Sequence, residues 1–226
     1  MRTFAFIFAR GGSKGLRDKN VKHIGGLPLV AHSIRIAASL PSIEQVFVST
    51  EDEVIADISR SFHATVIQRP MELATDTAPE WLAWQHAVKY VQEELKQPFD
   101  VFVSLPPTSP LRSHLDIQNC LNSLDKETDI VITVCPSHRS PYFNMISKDK
   151  HGFARLAAGN GHFQRRQDTP AVYDITTVAY VTRPDFVLSS NRIFDGRVRT
   201  VTVPKERAID IDDEIDFQIA QFLYRL

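Results

Sequence analysis

Through its first 135 residues the chain alternates short apolar runs with amphipathic stretches, and this rhythm restricts the possible folds more than any other feature. The runs TFAFIFA (3–9), QVFVST (45–50), ATVIQ (64–68), DVFVSL (100–105) and DIVITVC (129–135) are β-branched and aromatic, and several are apolar on both faces. Strands covered on both sides read this way. Between them, PLVAHSIRIAASL (28–40), EDEVIADISRSF (51–62), APEWLAWQHAVKYVQEEL (78–95) and SHLDIQNCLNSLD (113–125) repeat apolar positions every three or four residues, with Pro28 and Pro79 near helix starts. The alternation predicts an α/β fold, a mostly parallel sheet with helices on both faces.

The rhythm breaks after Cys135. Residues 136–174 carry prolines, glycines and polar residues but no long periodic element, and read as an extended arm or small subdomain over about 136–170. Strands near TTVAYVT (176–182) and VRTVTV (198–203) follow, and the chain ends in an amphipathic helix. The 226 residues suit one domain with an excursion.

The formal charge of −1 gives no support to a general nucleic-acid or membrane surface, so any basic site must be local. Cys120 and Cys135 make no disulfide framework and fit a reducing, cytoplasmic compartment. The apolar run at the N-terminus stops at Arg10 and reads as a first strand rather than a signal peptide. No segment approaches the roughly 18 apolar residues of a membrane-spanning helix. The eight histidines are scattered, none at a metal-binding spacing, and Trp81 and Trp84 read as core.

ARGGSKGLRDKN (9–20) sets Arg10, Lys14, Arg17 and Lys19 around Gly11, Gly12 and Ser13, directly after the first strand. It is neither a Walker A loop nor the dinucleotide fingerprint. Fixed cations beside small residues let a polyanion such as a triphosphate approach backbone N–H groups. A surface loop with solvated lysines would look similar. Its place at the carboxyl end of a strand favours the ligand. Near the other end, Asp210 and Asp212 of AIDIDDEIDFQIA (208–220) alternate along extended chain, so their carboxylates share a side. They admit a divalent cation or a role in helix capping. Asp213 and Glu214 read as capping acids.

Taken together, ARGGSKGLRDKN, VSTEDEVIADISRSFHA (48–64), RPMELATDTA (69–78), PPTSPLR (106–112), RRQD with Pro170 (165–170) and AIDIDDEIDFQIA (208–220) closely resemble, in order, the motifs of the N-acylneuraminate cytidylyltransferases, the CMP-sialic acid synthetases. The resemblance covers nearly the whole chain. It implies a Rossmann-like nucleotidyltransferase fold, a single cytidylyltransferase domain over 1–226, and a homodimer whose arm reaches the neighbouring subunit. It also implies transfer of CMP from CTP to the anomeric hydroxyl of an α-keto sugar acid, with Mg²⁺ as cofactor and pyrophosphate released. On the matched positions, Arg10, Gly11, Gly12, Ser13, Lys14, Lys19, Asn20, Arg69 and Glu80 fall to the nucleotide, and Asp210 and Asp212 to the metal. Thr108, Ser109, Arg112, Arg166, Gln167 and Thr176 fall to the acceptor. Arg10, Lys14, Lys19 and Asp212 are the expected catalytic group.

Three positions depart from the family. Pro106 stands where a glutamine is expected, Thr176 and Thr177 replace Asn-Gly, and Glu80 occupies a site that often carries a small hydroxyl residue. Glu80 either accepts a hydrogen bond from the cytosine amino group or is a first-turn helix acid facing solvent. The altered acceptor half points away from plain N-acetylneuraminate, towards a deaminated, legionaminic-type or pseudaminic-type acid or an eight-carbon keto acid. A nucleotidyltransferase using another nucleotide, and a non-catalytic nucleotide-binding domain, are the rival readings.

Overall fold

The first strand sets the layout. In the computed structural model, which describes residues 1–12, 15–159 and 163–226, β1 (Thr3–Phe8) is buried along nearly its whole length. Its side chains alternate between two cores. Ala5 and Ile7 face one, Phe4 and Phe6 the other.

In chain order the further elements are β2 (His23–Ile24), β3 (Leu27–Pro28), α1 (Leu29–Ala38), β4 (Gln45–Thr50), α2 (Glu53–Ser61), β5 (Thr65–Gln68), α3 (Glu80–Lys89), β6 (Val101–Ser104), α4 (His114–Ser123) and β7 (Ile130–Pro136). Then come β8 (Ile146–Lys148), β9 (Ala154–Leu156), β10 (Tyr173–Thr182), α5 (Pro184–Ser189), β11 (Val198–Thr202) and α6 (Glu214–Tyr224). Seven strands form the central sheet in the order β11-β7-β10-β6-β1-β4-β5. All its pairings are parallel except those of β10, which runs antiparallel to both β6 and β7.

Helices cover both faces. Val30 and Ile34 of α1, Ile55 of α2 and Ile117 of α4 pack with Ala5 and Ile7. On the opposite face Phe6 stacks on Phe102 and Phe47, at centroid distances of 4.6 and 5.2 Å, and Trp84 of α3 and Val187 of α5 close over them. Both tryptophans belong to this core. Trp81 donates its indole N–H to Ser190 O at 2.7 Å, tying α3 to α5.

Helix starts follow local chemistry. The Asp52 carboxylate accepts from Ile55 N, and Ser113 and Asp213 open α4 and α6 with capping boxes. Asp213 is thus a cap, as its place in the sequence suggests. Some details differ from expectation. The long third helix continues past Lys89 as a wider π turn, Tyr90–Glu94, and the arm contains an antiparallel hairpin, β8 with β9. Among the described residues no helix is long and apolar enough to cross a membrane.

A third, smaller core fixes the site. Leu16 of the opening loop, Ile24, Leu29 and Ile211 pack with Phe217 and Ala220 of α6. Burying a side chain such as Ile211 contributes about 2 kcal/mol, and here it anchors the chain between two aspartates beside the opening loop.

Candidate active site

A cleft of ≈ 550 Å³ opens at the carboxyl ends of β1, β5 and β6. Successive parallel strands run from β1 outwards through β4 to β5, and the chain then returns to place β6 on the other side of β1. Open α/β sheets bind ligands at such a reversal. Arg10 follows β1, Arg69 follows β5, and Pro106 to Thr108 follow β6. Asp210 and Asp212 arrive from the far end of the chain, and all of these line the cleft.

The opening loop is tied to those aspartates directly. Lys19 donates from Nζ to Ile211 O at 2.7 Å and to an Asp212 carboxylate oxygen at 3.0 Å. Ile211 N in turn donates to Thr108 O at 2.9 Å, which seats the acidic segment against the loop after β6. Gly15 packs against the backbone carbonyl of Asp212 so closely that a Cβ would collide with it. Gly12 has φ +63°, in the left-handed region that favours glycine. Asn20 donates its amide to Arg10 O at 2.9 Å, and Gly11 N donates to Glu51 Oε1 at 2.7 Å. Ser13 and Lys14 lie outside the described residues.

The charges are arranged in pairs. Arg10 Nη1 donates to Asp76 Oδ1 at 2.6 Å. The buried Arg69 donates to Ser49 through Nε and Nη2, and its guanidinium lies 5.8 Å from the Phe8 ring centroid. Desolvation holds Arg69 below the usual arginine range, against the pull of Glu51 and Glu80. Glu80 opens α3 and lines the cleft, with Oε1 accepting from the Trp84 indole at 3.2 Å. Solvent reaches it through the open cleft, yet the protein crowding it on other sides desolvates the carboxyl and pushes it up, with Trp84 and Arg69 opposing. Tyr180, beside Glu80 and Asp210, is pushed up by burial in the same way. Asp210 Oδ1 is buried, with no hydrogen-bond partner among the described residues.

The model of the Cytidylyltransferase family matches residues 4–222. The chain belongs to that family. It is 33% identical over 221 residues to post-translational flagellin modification protein B of Campylobacter coli, a match covering 97% of this chain and 93% of that one. It is 32% identical over 222 residues to the CMP-N,N'-diacetyllegionaminic acid synthase of Campylobacter jejuni, covering 97% and 94%. The resemblance to N-acylneuraminate cytidylyltransferases read from the motifs is borne out. Among solved structures, CMP:2-keto-3-deoxy-manno-octonic acid synthetase complexed with CTP aligns with a TM-score of 0.70, covering 100% of this chain and 99% of that one. At 14% identity that likeness is one of fold, and it agrees with the expected Rossmann-like architecture. The protein is a nucleotidyltransferase.

Within this cytidylyltransferase, Arg10, Lys19, Asn20, Arg69, Glu80, Thr108, Asp210 and Asp212 meet at one cleft. Other expected site residues stand elsewhere. Ser109 is buried with its hydroxyl 2.7 Å from Thr177 Oγ1. Arg112 is enclosed and donates to Val178 O at 2.8 Å, Ser33 Oγ at 2.5 Å and Pro106 O, and burial pulls it down to about 9. It clamps the loop after β6 to β10 and α1. Thr176 turns inward and donates to Thr133 Oγ1 at 2.7 Å, whereas Thr177 lines the cleft.

Arg166 and Gln167 line a separate hollow of ≈ 320 Å³ on the arm, where Arg166 Nη2 donates to Ser137 O at 2.6 Å. The cleft also brings in Asp76, Thr177 and Tyr180, none of them among the expected site residues. Asp76 sits inside the RPMELATDTA motif, which was the available signal. Among the described residues no group of three or more His, Cys, Asp or Glu is placed to hold a metal ion, so a cation here would rest on two carboxylates and the substrate.

Proposed function

We propose that this cytidylyltransferase transfers CMP from CTP to the anomeric hydroxyl of an α-keto sugar acid of the nonulosonic class, a different acid from plain N-acetylneuraminate, and releases pyrophosphate. The observation that carries the reading is the convergence of Arg10 and Lys19 with Asp210 and Asp212 on one cleft at the sheet's reversal point.

In nucleotidyl transfer the acceptor oxygen bonds to the α-phosphorus as the bond to pyrophosphate breaks, and positioning with charge neutralisation does most of the work. Arg10 and Lys19 hold phosphate oxygens, with Lys14 and the N–H groups of Gly12 and Ser13 assigned beside them by resemblance, while the Gly11 N–H is taken by Glu51. Glu80 and Arg69 face the base. The residues present fit a divalent cation, because Asp210 offers a buried carboxylate oxygen with no other partner among the described residues and Mg²⁺ typically takes one or two carboxylates plus substrate phosphates. Asp210 and Asp212 would hold Mg²⁺, which would supply charge neutralisation at the reacting phosphates.

Pro106, Thr108 and Thr177 form the wall assigned to the acceptor. The name of the Campylobacter jejuni relative favours a legionaminic-type acid. The arm favours a homodimer. It leaves Met145, Ile146 and Phe153 exposed, and Arg166 and Gln167 stand apart from the cleft of their own chain, where a neighbour's arm would supply them. The expected compartment is the cytoplasm.

The test is an acceptor screen with CTP and Mg²⁺, read by mass spectrometry of the CMP ester. Legionaminic-type, pseudaminic-type, deaminated and eight-carbon acids are compared with N-acetylneuraminate. Preferential turnover of one of the former is expected. Equal turnover of all would overturn the acceptor assignment, and absence of any CMP ester would overturn the reaction.

A further inference from the structure

Arg10 meets the cleft in a definite orientation. Its Nη1 donates to Asp76 Oδ1 at 2.6 Å and, more weakly, to Ala74 O at 3.4 Å. Both hydrogens of that nitrogen are thereby engaged. No hydrogen bond among the described residues uses Nε or Nη2, although the side chain lines the cleft. The Nε–Nη2 edge is the fork that meets two oxygens of one phosphate in parallel. The loop bearing Asp76 is itself anchored, since Arg69 N donates to Thr50 O, Leu73 N to Pro70 O and Ala78 N to Thr75 O. At the other end, Asn20 holds the Arg10 carbonyl.

We infer that Asp76 is a positioning residue for the transfer reaction: it fixes one corner of the Arg10 guanidinium so that the opposite edge is presented to a phosphate of the incoming nucleotide. A long, half-exposed arginine on a glycine-rich loop otherwise loses rotamer freedom at the moment of binding. An anchored one has already lost it. The inference rests on the proposed CTP site, and it adds a residue and a role to it.

A competing physical outcome exists. A carboxylate beside a phosphate site also repels the phosphate, and an Asp76 that had to be displaced would weaken binding. The two effects have opposite signs, so affinity decides between them.

The experiment is calorimetric titration of the full chain with CTP and, separately, with inorganic tripolyphosphate, which has no base or ribose. Wild type is compared with Asp76→Ala, Asp76→Asn, Asp76→Glu, Arg10→Ala and the double variant Asp76→Ala/Arg10→Ala. Asp76→Ala is expected to weaken both ligands about tenfold. Asp76→Asn, which keeps an acceptor but no charge, falls between, and Asp76→Glu recovers most of the loss. In the Arg10→Ala background the loss from Asp76→Ala is smaller than in the wild-type background, a coupling that a general structural role would not produce. Equal or tighter binding by Asp76→Ala, or an undiminished loss in the Arg10→Ala background, overturns the proposal. If Asp76→Ala fails to fold, Asp76→Asn and Asp76→Glu decide by the same criteria. Wild-type binding of tripolyphosphate without CTP would remove the nucleotide reading while leaving Asp76 testable. Binding of neither would remove both.

Discussion

Lys19 and Asp212 stand 193 positions apart in the chain and 3.0 Å apart in the structure. The same ammonium reaches the carbonyl of Ile211 at 2.7 Å, so one side chain joins the loop after the first strand to the segment before the last helix. The pair is lopsided. Lys19 is 14% exposed and Asp212 76%, which leaves the carboxylate open to the cleft.

Replacing Lys19 with methionine should therefore separate function from stability. The loss of a cation preorganised for the phosphates is expected to lower kcat/KM by about 10²–10³. An ion pair whose carboxylate is largely exposed contributes about 1 kcal/mol or less, so Tm should fall by no more than ~4 °C. Steady-state kinetics beside a thermal melt checks both. An unfolded variant, or one with unchanged kcat/KM, would contradict the assignment.

Asp210 carries the opposite trade. A buried carboxylate oxygen without a partner costs about 1–3 kcal/mol, and Asp210 also raises the carboxyl of Glu80. Asp210→Asn removes the charge. In EDTA its Tm is expected to rise by about 2–4 °C, while CMP-ester formation with CTP and Mg²⁺ falls by more than about 10². A lower Tm in EDTA would show that the charge stabilises the free protein.

The pH dependence of folding should carry the mark of Asp116. Burial alone would raise its carboxyl, but the paired bonds from Arg207, both 2.9 Å, and those from Ser113 hold it below its ordinary value of 3.8. Because the folded value is depressed, the stabilisation is fully present above 3.8. It is lost as pH falls through the folded value, since the unfolded chain takes up the proton first. Asp116→Asn should cost about 2–3 kcal/mol at neutral pH and flatten the acid side of the stability curve. Urea unfolding between pH 3 and 7 reads both.

Thr177 is expected to shape acceptor choice. Its hydroxyl is held by Ser109 at 2.7 Å and by Thr108 at 3.4 Å, and its side chain faces the cleft. Thr177→Gly removes both the methyl wall and the ordered hydroxyl. The ratio of kcat/KM between two keto sugar acids should shift about tenfold, with KM for CTP nearly unchanged. A change confined to CTP would place Thr177 on the nucleotide side.

Much of this architecture was legible from patterning. The β1 run, with phenylalanines alternating against alanine and isoleucine, contains both cores, and the proline and capping signals mark several helix starts. The hairpin β8–β9 escaped because three-residue strands reading ISK and ARL have no period to detect. Helix α5 escaped for the same reason at six residues. The two threonines show a sharper limit. Alternation along a strand assigns faces only where register is unbroken, and the pairing of β10 with β7 shifts between Thr176 and Tyr180. Which threonine met the cleft was therefore undecidable from spacing. Arg112 illustrates a different gap, because a charged residue in a loop motif gives no sign that its partners are backbone carbonyls and an inward-facing serine.

The tie between the opening loop and the acidic segment bears on how the protein is made. During synthesis the early strands emerge long before residue 212, and contacts between segments 193 positions apart form late. A nascent polypeptide would carry the cationic loop before the acidic segment that lines the other side of its cleft. The cleft therefore closes around its opening loop only when the segment at residues 211–212 has been added and has folded back onto Lys19.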